Sequence, residues 1–284
     1  MMQASQANAV TPAEPLTRIA VVVPTVRPER LAEFLERWKW LFDRHRCRLV
    51  VVHHGEPPRV ESTDALRDGL NTEWHSQGPE HVCQHHAEWL FYHTDAVRNI
   101  GFLAALKRWP DTQVILTLDD DVYPELDTDP IEDHLEALQM RVPISWFSTA
   151  SEYMRGFPYG VRSEAEVVVS HGVWSGVHDY DGPTQLVNGV KLATFYRGPV
   201  PKGCLTPVCG MNLAFKVSVL PWVYFAPMGR GMDGVPVGYH RFADIWMGIG
   251  LKRELDRTGQ AMVSGYSRVF HSREIGRASC RERV

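Results

Sequence analysis

The fold turns on the stretch Val114-Ile115-Leu116-Thr117-Leu118-Asp119-Asp120-Asp121-Val122-Tyr123-Pro124. Five residues with the make-up of a buried strand run directly into three consecutive carboxylates, and Pro124 stops the strand from continuing. Adjacent like charges disfavour one another's ionisation, so three aspartates at a strand end need an offsetting positive charge. A hard divalent cation supplies one, because Mg2+ or Mn2+ takes carboxylate oxygens and leaves positions open to phosphate oxygens. The competing reading is an acidic surface turn.

Working outward, Ile19–Val23 closed by Pro24 reads as a first buried strand. Glu29–Phe42 places Leu31, Phe34, Leu35, Trp38, Leu41 and Phe42 at helical spacing. Leu49–Val52 reads as a second strand ending in His53-His54-Gly55, and Pro57 to His86 as loop. Phe91–His93 reads as a short strand, and Asp95–Trp109 as the helix that feeds the central strand. Such alternation predicts right-handed crossovers and a mostly parallel sheet, with ligands gathering outside the carboxyl ends of its strands. Pro24-Thr25, His54-Gly55 and Asp119–Asp121 should then share one crevice.

Downstream, Ile131–Met140 reads as a helix, Ile144–Phe147 as a strand, Arg241–Arg257 as a helix closed by Gly259, and Val269-Phe270-His271 as a last strand. Between them, Arg155 to Gly234 is rich in glycine and aromatics with weak periodicity. The expected architecture is one α/β domain over residues 18–274. Its mostly parallel central sheet is flanked by helices, behind a loose tail at 1–17. Residues 275–284 have no period and read as a non-native read-through tail on a C-terminally truncated chain. Without their three Arg and one Glu the net charge moves from −4 to −6.

An apolar share of 44% and a charged share of 23% are ordinary for a soluble globular protein. No apolar run approaches the roughly 20 residues of a membrane span, and the N-terminus lacks the layout of a secretory signal. A mildly acidic body without a basic stripe argues against nucleic acid. Cys47, Cys83, Cys204 and Cys209 lack metal-type spacing and read as reduced thiols of a cytosolic protein. His81, Cys83, His85 and His86 resemble a metal site in composition only.

A strand ending in Pro24-Thr25-Val26-Arg27 and another ending in adjacent aspartates resemble the two halves of the nucleotide-sugar site in GT-A glycosyltransferases, so the expected α/β fold is of the GT-A type nucleotide-sugar-binding kind. There a metal bridges diphosphate to aspartate and offsets charge growing on the leaving UDP. Arg98, in Arg98-Asn99-Ile100-Gly101, adds a cation and helix-start amides near the phosphates, or is a solvated surface arginine.

Five further runs carry a resemblance: Arg155-Gly156-Phe157-Pro158-Tyr159, Ser170-His171-Gly172-Val173-Trp174, Asp179-Tyr180-Asp181-Gly182-Pro183-Thr184-Gln185-Leu186, Pro201-Lys202-Gly203-Cys204 and Cys209-Gly210-Met211-Asn212-Leu213-Ala214-Phe215. With the Asp triplet, and in this order from about Ile19 to Arg273, they resemble the reversibly glycosylated polypeptide family, the UDP-arabinopyranose mutases. The resemblance implies a cytosolic, flavin-free enzyme that interconverts UDP-arabinopyranose and UDP-arabinofuranose with Mn2+ or Mg2+. It also implies reversible self-glycosylation on arginine from UDP-glucose, UDP-xylose or UDP-galactose, and a homo- or hetero-oligomer. The glycosylated arginine corresponds to Arg155, and a second family arginine to Arg162.

A guanidinium is a poor nucleophile, so a covalent role for Arg155 needs Asp179 and Asp181 to take its proton. The alternative is electrostatic pairing of Arg155 with the diphosphate. His271 becomes a third metal ligand beside Asp119 and Asp121, or a core histidine. Asp119 or Asp120 would face ribose or sugar. Asp244 stands where the family has two adjacent aspartates and this chain has Ala243 first; it would orient sugar hydroxyls, act as a base, or complement a helix dipole. His171 and Trp174 could form a sugar platform, Lys202 a phosphate contact, and Asn212 a further substrate contact. His54-Gly55 replaces the family's Asp-Gly, which loosens the expectation of strict uridine recognition.

The rival functions are a retaining-type glycosyltransferase, modifying itself or an acceptor, and a non-catalytic nucleotide-sugar-binding subunit. A haloacid-dehalogenase-like phosphatase is disfavoured by Tyr123 within the acidic run.

Overall fold

A computed structural model of the chain describes residues 16–25, 27–53, 73–77, 95–146, 153–176, 196–228 and 242–272. Strand β1 (Ile19–Thr25) is buried along its whole length between β2 (Arg48–His53) and β4 (Val114–Leu118), both parallel to it. A strand covered on both faces has no polar side to spare, hence its continuous apolar run. The pleat sends Val21 and Val23 into one core and Ala20 and Val22 into another.

The first core is filled by helix α1 (Pro28–Arg44), whose apolar stripe includes Phe34, Trp38 and Phe42. Trp38 stacks on Phe42 and donates its indole N–H to the Val122 carbonyl at 2.8 Å, which ties α1 to the chain just past the acidic triplet. On the opposite face lies α2 (Val97–Arg108), with Phe102 edge-on to Phe215. Gly101 lets this helix come close, since a Cβ there would strike the side chains of Val22 and Val52.

The second half supplies β5 (Val122–Pro124), helix α3 (Pro130–Gln139), β6 (Arg141–Pro143), β7 (Glu164–Gly176), β8 (Gly198–Pro199), β9 (Asn212–Lys216), helix α4 (Ala243–Thr258) and β10 (Ala261–His271). A strand β3 (Glu73–Gln77) lies parallel to β2 at the sheet edge. The main sheet runs β3-β2-β1-β4-β9-β7-β10-β5. Strand β9 is antiparallel to both β4 and β7, and β10 is parallel to β7. Strands β1, β2, β3, β4, β7 and β10 therefore point the same way, and their carboxyl ends share one edge.

This α/β arrangement, with a mostly parallel sheet and helices on both faces, is the architecture expected from the sequence. Three local expectations change. Residues 57–86 are not all loop, since β3 falls among them. The strand read at Ile144–Phe147 is instead β6, three residues earlier. The last strand is 11 residues long rather than three. Among the described residues no helix is long and apolar enough to cross a membrane.

Helix α4 ends at Gly259 with φ +70. A side chain is strained in that left-handed conformation. Gly259→Ala should cost about 1 kcal/mol of stability, read from the denaturation midpoint at unchanged m-value.

Candidate active-site crevice at the carboxyl edge of the sheet

The triplet sits where the chain leaves β4, and each carboxylate has its own environment. Asp120 is buried, accepts the Thr25 hydroxyl at 2.6 Å and is paired by Arg27. Asp121 takes the same guanidinium at 3.2 Å. Its backbone carbonyl accepts the Ser272 N–H at 3.0 Å and hydroxyl at 3.1 Å, which brings the end of β10 against the triplet. His271 Nε2 stands 3.8 Å from Asp121 Oδ1. Asp119 is paired by Arg98, which is itself buried and also donates to Thr117 Oγ1 at 2.6 Å.

Two guanidinia thus face three carboxylates, leaving one surplus negative charge (3 − 2 = 1). Burial pushes the Asp120 carboxyl above its ordinary range despite Arg27 and Thr25. For Asp119 burial acts in the same direction, but Arg98 prevails and holds it below that range. Arg98 is therefore an internal counter-ion rather than a solvated surface residue.

The start of α4 completes the rim. Burial, with the Asp95 and Asp119 carboxylates adding to it, raises the Asp244 carboxyl to about 6, while the Ile245 N–H and Arg98 oppose the shift. Asp95 lies 3.9 Å from the Arg98 guanidinium. Asp95 is a site residue that sequence reasoning missed; its spacing of three from Arg98 at a helix start was the available signal.

A carboxyl whose folded pKa exceeds its unfolded value of 3.8 binds more protons in the native state, so it lowers stability as pH rises from about 4 to 6. Asp244→Asn should raise the melting temperature at pH 7.5 but not at pH 4. It should also remove the limb near pH 6 from any pH–rate profile in which Asp244 acts as a base.

Other expected site residues lie elsewhere. Arg155 is exposed on a turn closed by Phe157 N–H to Met154 O at 3.0 Å, with Gly156 at φ +88. The Arg162 guanidinium lies over the rings of Tyr159 and Tyr153, at 3.9 and 4.8 Å, and donates to Phe157 O at 3.2 Å. Both arginines precede β7, whose first residue, Glu164, stands eight residues before Gly172. Through β9, Gly172 is level with Leu118. At roughly 3.3 Å per residue that places the start of β7 about 25 Å from the triplet. Arg155 and Arg162 thus lie toward the far end of β7 from the triplet.

Lys202 is exposed near the same far end, its N–H bonded to Ile144 O at 2.7 Å just past β6. Asn212 is fully buried and braces the interior, bonding His134 Nε2 at 2.8 Å and Val173 O at 3.1 Å. His134 is neutral, its pKa depressed to about 4 by burial. His171 is wedged between Ser264 Oγ at 3.0 Å and the Cys209 N–H at 3.1 Å, and burial lowers its pKa to about 4. The Cys209 N–H needs an acceptor, so the His171 proton is on Nδ1. Trp174 packs partly on the core, edge-on to His171. Pro24 is buried in the ladder with Val52. His54, Gly55, Asp179, Asp181 and the cluster His81, Cys83, His85, His86 lie outside the described residues.

Among the described residues, His45, Asp129 and Glu132 bring ligand-type atoms within 4.8 Å of one another, whereas Asp119, Asp121 and His271, expected together as metal ligands, do not form such a cluster. There Asp129 is already occupied. It caps α3 through the Glu132 N–H at 2.9 Å and pairs with His45 at 2.8 Å and Arg44 at 3.4 Å.

The chain is 31% identical to UDP-arabinopyranose mutase 1 of Arabidopsis thaliana, over 89% of this chain and 71% of that protein. It is 30% identical to UDP-arabinopyranose mutase 1 of Oryza sativa subsp. japonica, over 94% of this chain and 73% of that protein. Among solved structures it is similar to the mannosyltransferase PcManGT from Pyrobaculum calidifontis in complex with GDP-Man and Mn2+, at 12% identity and TM-score 0.49, over 91% of this chain and 57% of that one. The family model for the reversibly glycosylated polypeptide matches residues 16–281, and the chain belongs to that family.

Proposed function

We propose that the chain binds a UDP-sugar across the carboxyl edge of β1 and β4 and interconverts its pyranose and furanose forms, with UDP-arabinopyranose as substrate. The observation that carries this reading is the cluster of carboxylates at that edge. Buried, charge-paired carboxylates at the switch from the parallel half of the sheet to β9 lie beside one surplus negative charge. The names of the relatives supply the sugar.

Asp121 and His271 would together suit a hard divalent cation. Asp121 Oδ1 and His271 Nε2 are too far apart at 3.8 Å for a hydrogen bond, and close enough for one ion to span. Asp119, with its side chain 31% exposed, is within reach of a ligand, whereas Asp120 serves inside the fold. When bound, Mn2+ or Mg2+ would stabilise the charge on UDP as the sugar–phosphate bond breaks. Asp244, titrating near 6, suits proton transfer to and from the sugar hydroxyls that exchange during ring change.

The second reading, a self-glycosylating transferase, is favoured by the exposed turn that presents Arg155. Because that turn precedes the start of β7, itself about 25 Å from the triplet, transfer would go from one molecule to another. Labelling would then follow second-order kinetics in protein. Incubation of the protein with UDP-arabinopyranose and Mn2+, followed by separation of the nucleotide sugars, tests both readings. UDP-arabinofuranose as product supports the mutase. UDP and labelled protein without furanose support transfer alone, and no turnover of any kind overturns both.

A further inference from the structure

The two guanidinia of the crevice are built differently. Arg98 is buried, while the Arg27 side chain is 39% exposed although it neutralises carboxylates exposed by only 3% and 8%. Arg27 follows directly on β1. Its backbone N–H donates to Thr25 Oγ1 at 3.1 Å, and that hydroxyl donates to Asp120 at 2.6 Å. The turn that points Arg27 at the triplet is thus held by Thr25, and Asp120 keeps a partner whether or not the guanidinium stays. Asp121 is placed otherwise: Oδ2 faces Arg27 and Oδ1 faces His271. A cation arriving at Asp121 meets the guanidinium already there, and two like charges a few ångströms apart repel.

We propose that Arg27 is an exchangeable counter-ion: it holds Asp120 and Asp121 while no ligand is bound, yields Asp121 to an entering divalent cation, and turns its guanidinium onto the diphosphate that arrives with the metal. The planar fork that grips a carboxylate grips a phosphate equally well. A cation binding alone displaces Arg27 without giving it a new partner. A cation binding with diphosphate gives it one. Metal and nucleotide therefore strengthen each other's binding by a common factor, and Arg27 sets part of that factor. This deepens the reading above, on which the identity of the anion rests; the competition between Arg27 and metal does not depend on it.

The test is Mn2+ binding to the full chain, followed by electron paramagnetic resonance of free Mn2+, with and without saturating UDP. Arg27→Met should bind Mn2+ alone at least tenfold more tightly than the natural chain and lose most of the tightening that UDP confers. Arg27→Lys keeps the charge without the fork, so its Mn2+ affinity alone should stay near the natural value while the UDP effect falls. Asp121→Ala should leave the free-Mn2+ signal undiminished by the protein, which identifies the site. Unchanged or weaker Mn2+ binding by Arg27→Met, in a variant with a normal melting temperature, overturns the proposal. Should Arg27→Met fail to fold, an undiminished UDP effect in Arg27→Lys overturns it equally. No sugar turnover enters these measurements, so a wrong substrate would leave the metal competition intact.

Discussion

Asp121→Asn should lower kcat/KM for the UDP-sugar by about a thousandfold, equivalent to roughly 4 kcal/mol of transition-state stabilisation. The substitution keeps shape and leaves the backbone carbonyl that anchors Ser272, so β10 should stay in place. What it removes is the anionic oxygen facing His271 and the acceptor for Arg27. A neutral amide is a weak ligand for a hard cation. Part of the loss should therefore be recovered at high Mn2+, a response that a merely misfolded variant would not give. A loss below tenfold with no metal dependence would remove Asp121 from the ligand set.

Arg98→Met should destabilise the protein by about 3–5 kcal/mol at pH 7, the range for removing one member of a buried ion pair. The guanidinium is buried, donates to Thr117 and neutralises Asp119, with Asp95 at 3.9 Å. Methionine fills much of the volume but leaves Asp119 beside Asp95 and Asp244 without its counter-ion. The pH dependence fixes the cause. In the natural chain Asp119 has a depressed pKa and contributes stability above the ordinary carboxylate range, which is lost as pH falls. Without Arg98 the same carboxyl is pushed up and gains stability on protonation. The gap between the two proteins should therefore narrow from pH 7 to pH 4. A gap that is flat with pH would mean that packing, not charge, accounts for the loss.

The acidic stretch was legible because a strand buried on both faces is written as a continuous apolar run, and Val114–Leu118 and Ile19–Val23 both are. The stripe of α1 and the glycine that closes α4 were legible for the same local reason. Strand β3 was not: Glu73-Trp74-His75-Ser76-Gln77 pairs on one ladder at the sheet edge, where backbone bonding suffices and no apolar run is demanded. Strands β7 and β9 were hidden because their burial depends on partners far along the chain, as with Asn212 against His134 and Val173.

In the site, composition announced a positive charge for the triplet but not its source. That source is partly internal, in Arg27 and Arg98, and the sequence offered a metal as the simplest answer. The Arg155 run is one of the five that carry the family resemblance and yet stands toward the far end of β7 from the triplet. Motifs report which residues a family keeps together in order, not which ones meet in space.

The central claim is that Asp121 and His271 hold the cation that grips a nucleotide diphosphate. A crystal grown with Mn2+ and UDP, measured at the manganese absorption edge, tests it directly. The account predicts an anomalous peak between Asp121 Oδ1 and His271 Nε2 with diphosphate oxygens completing its shell. A peak confined to His45, Asp129 and Glu132, or UDP bound away from the carboxyl edge of β1 and β4, would contradict it.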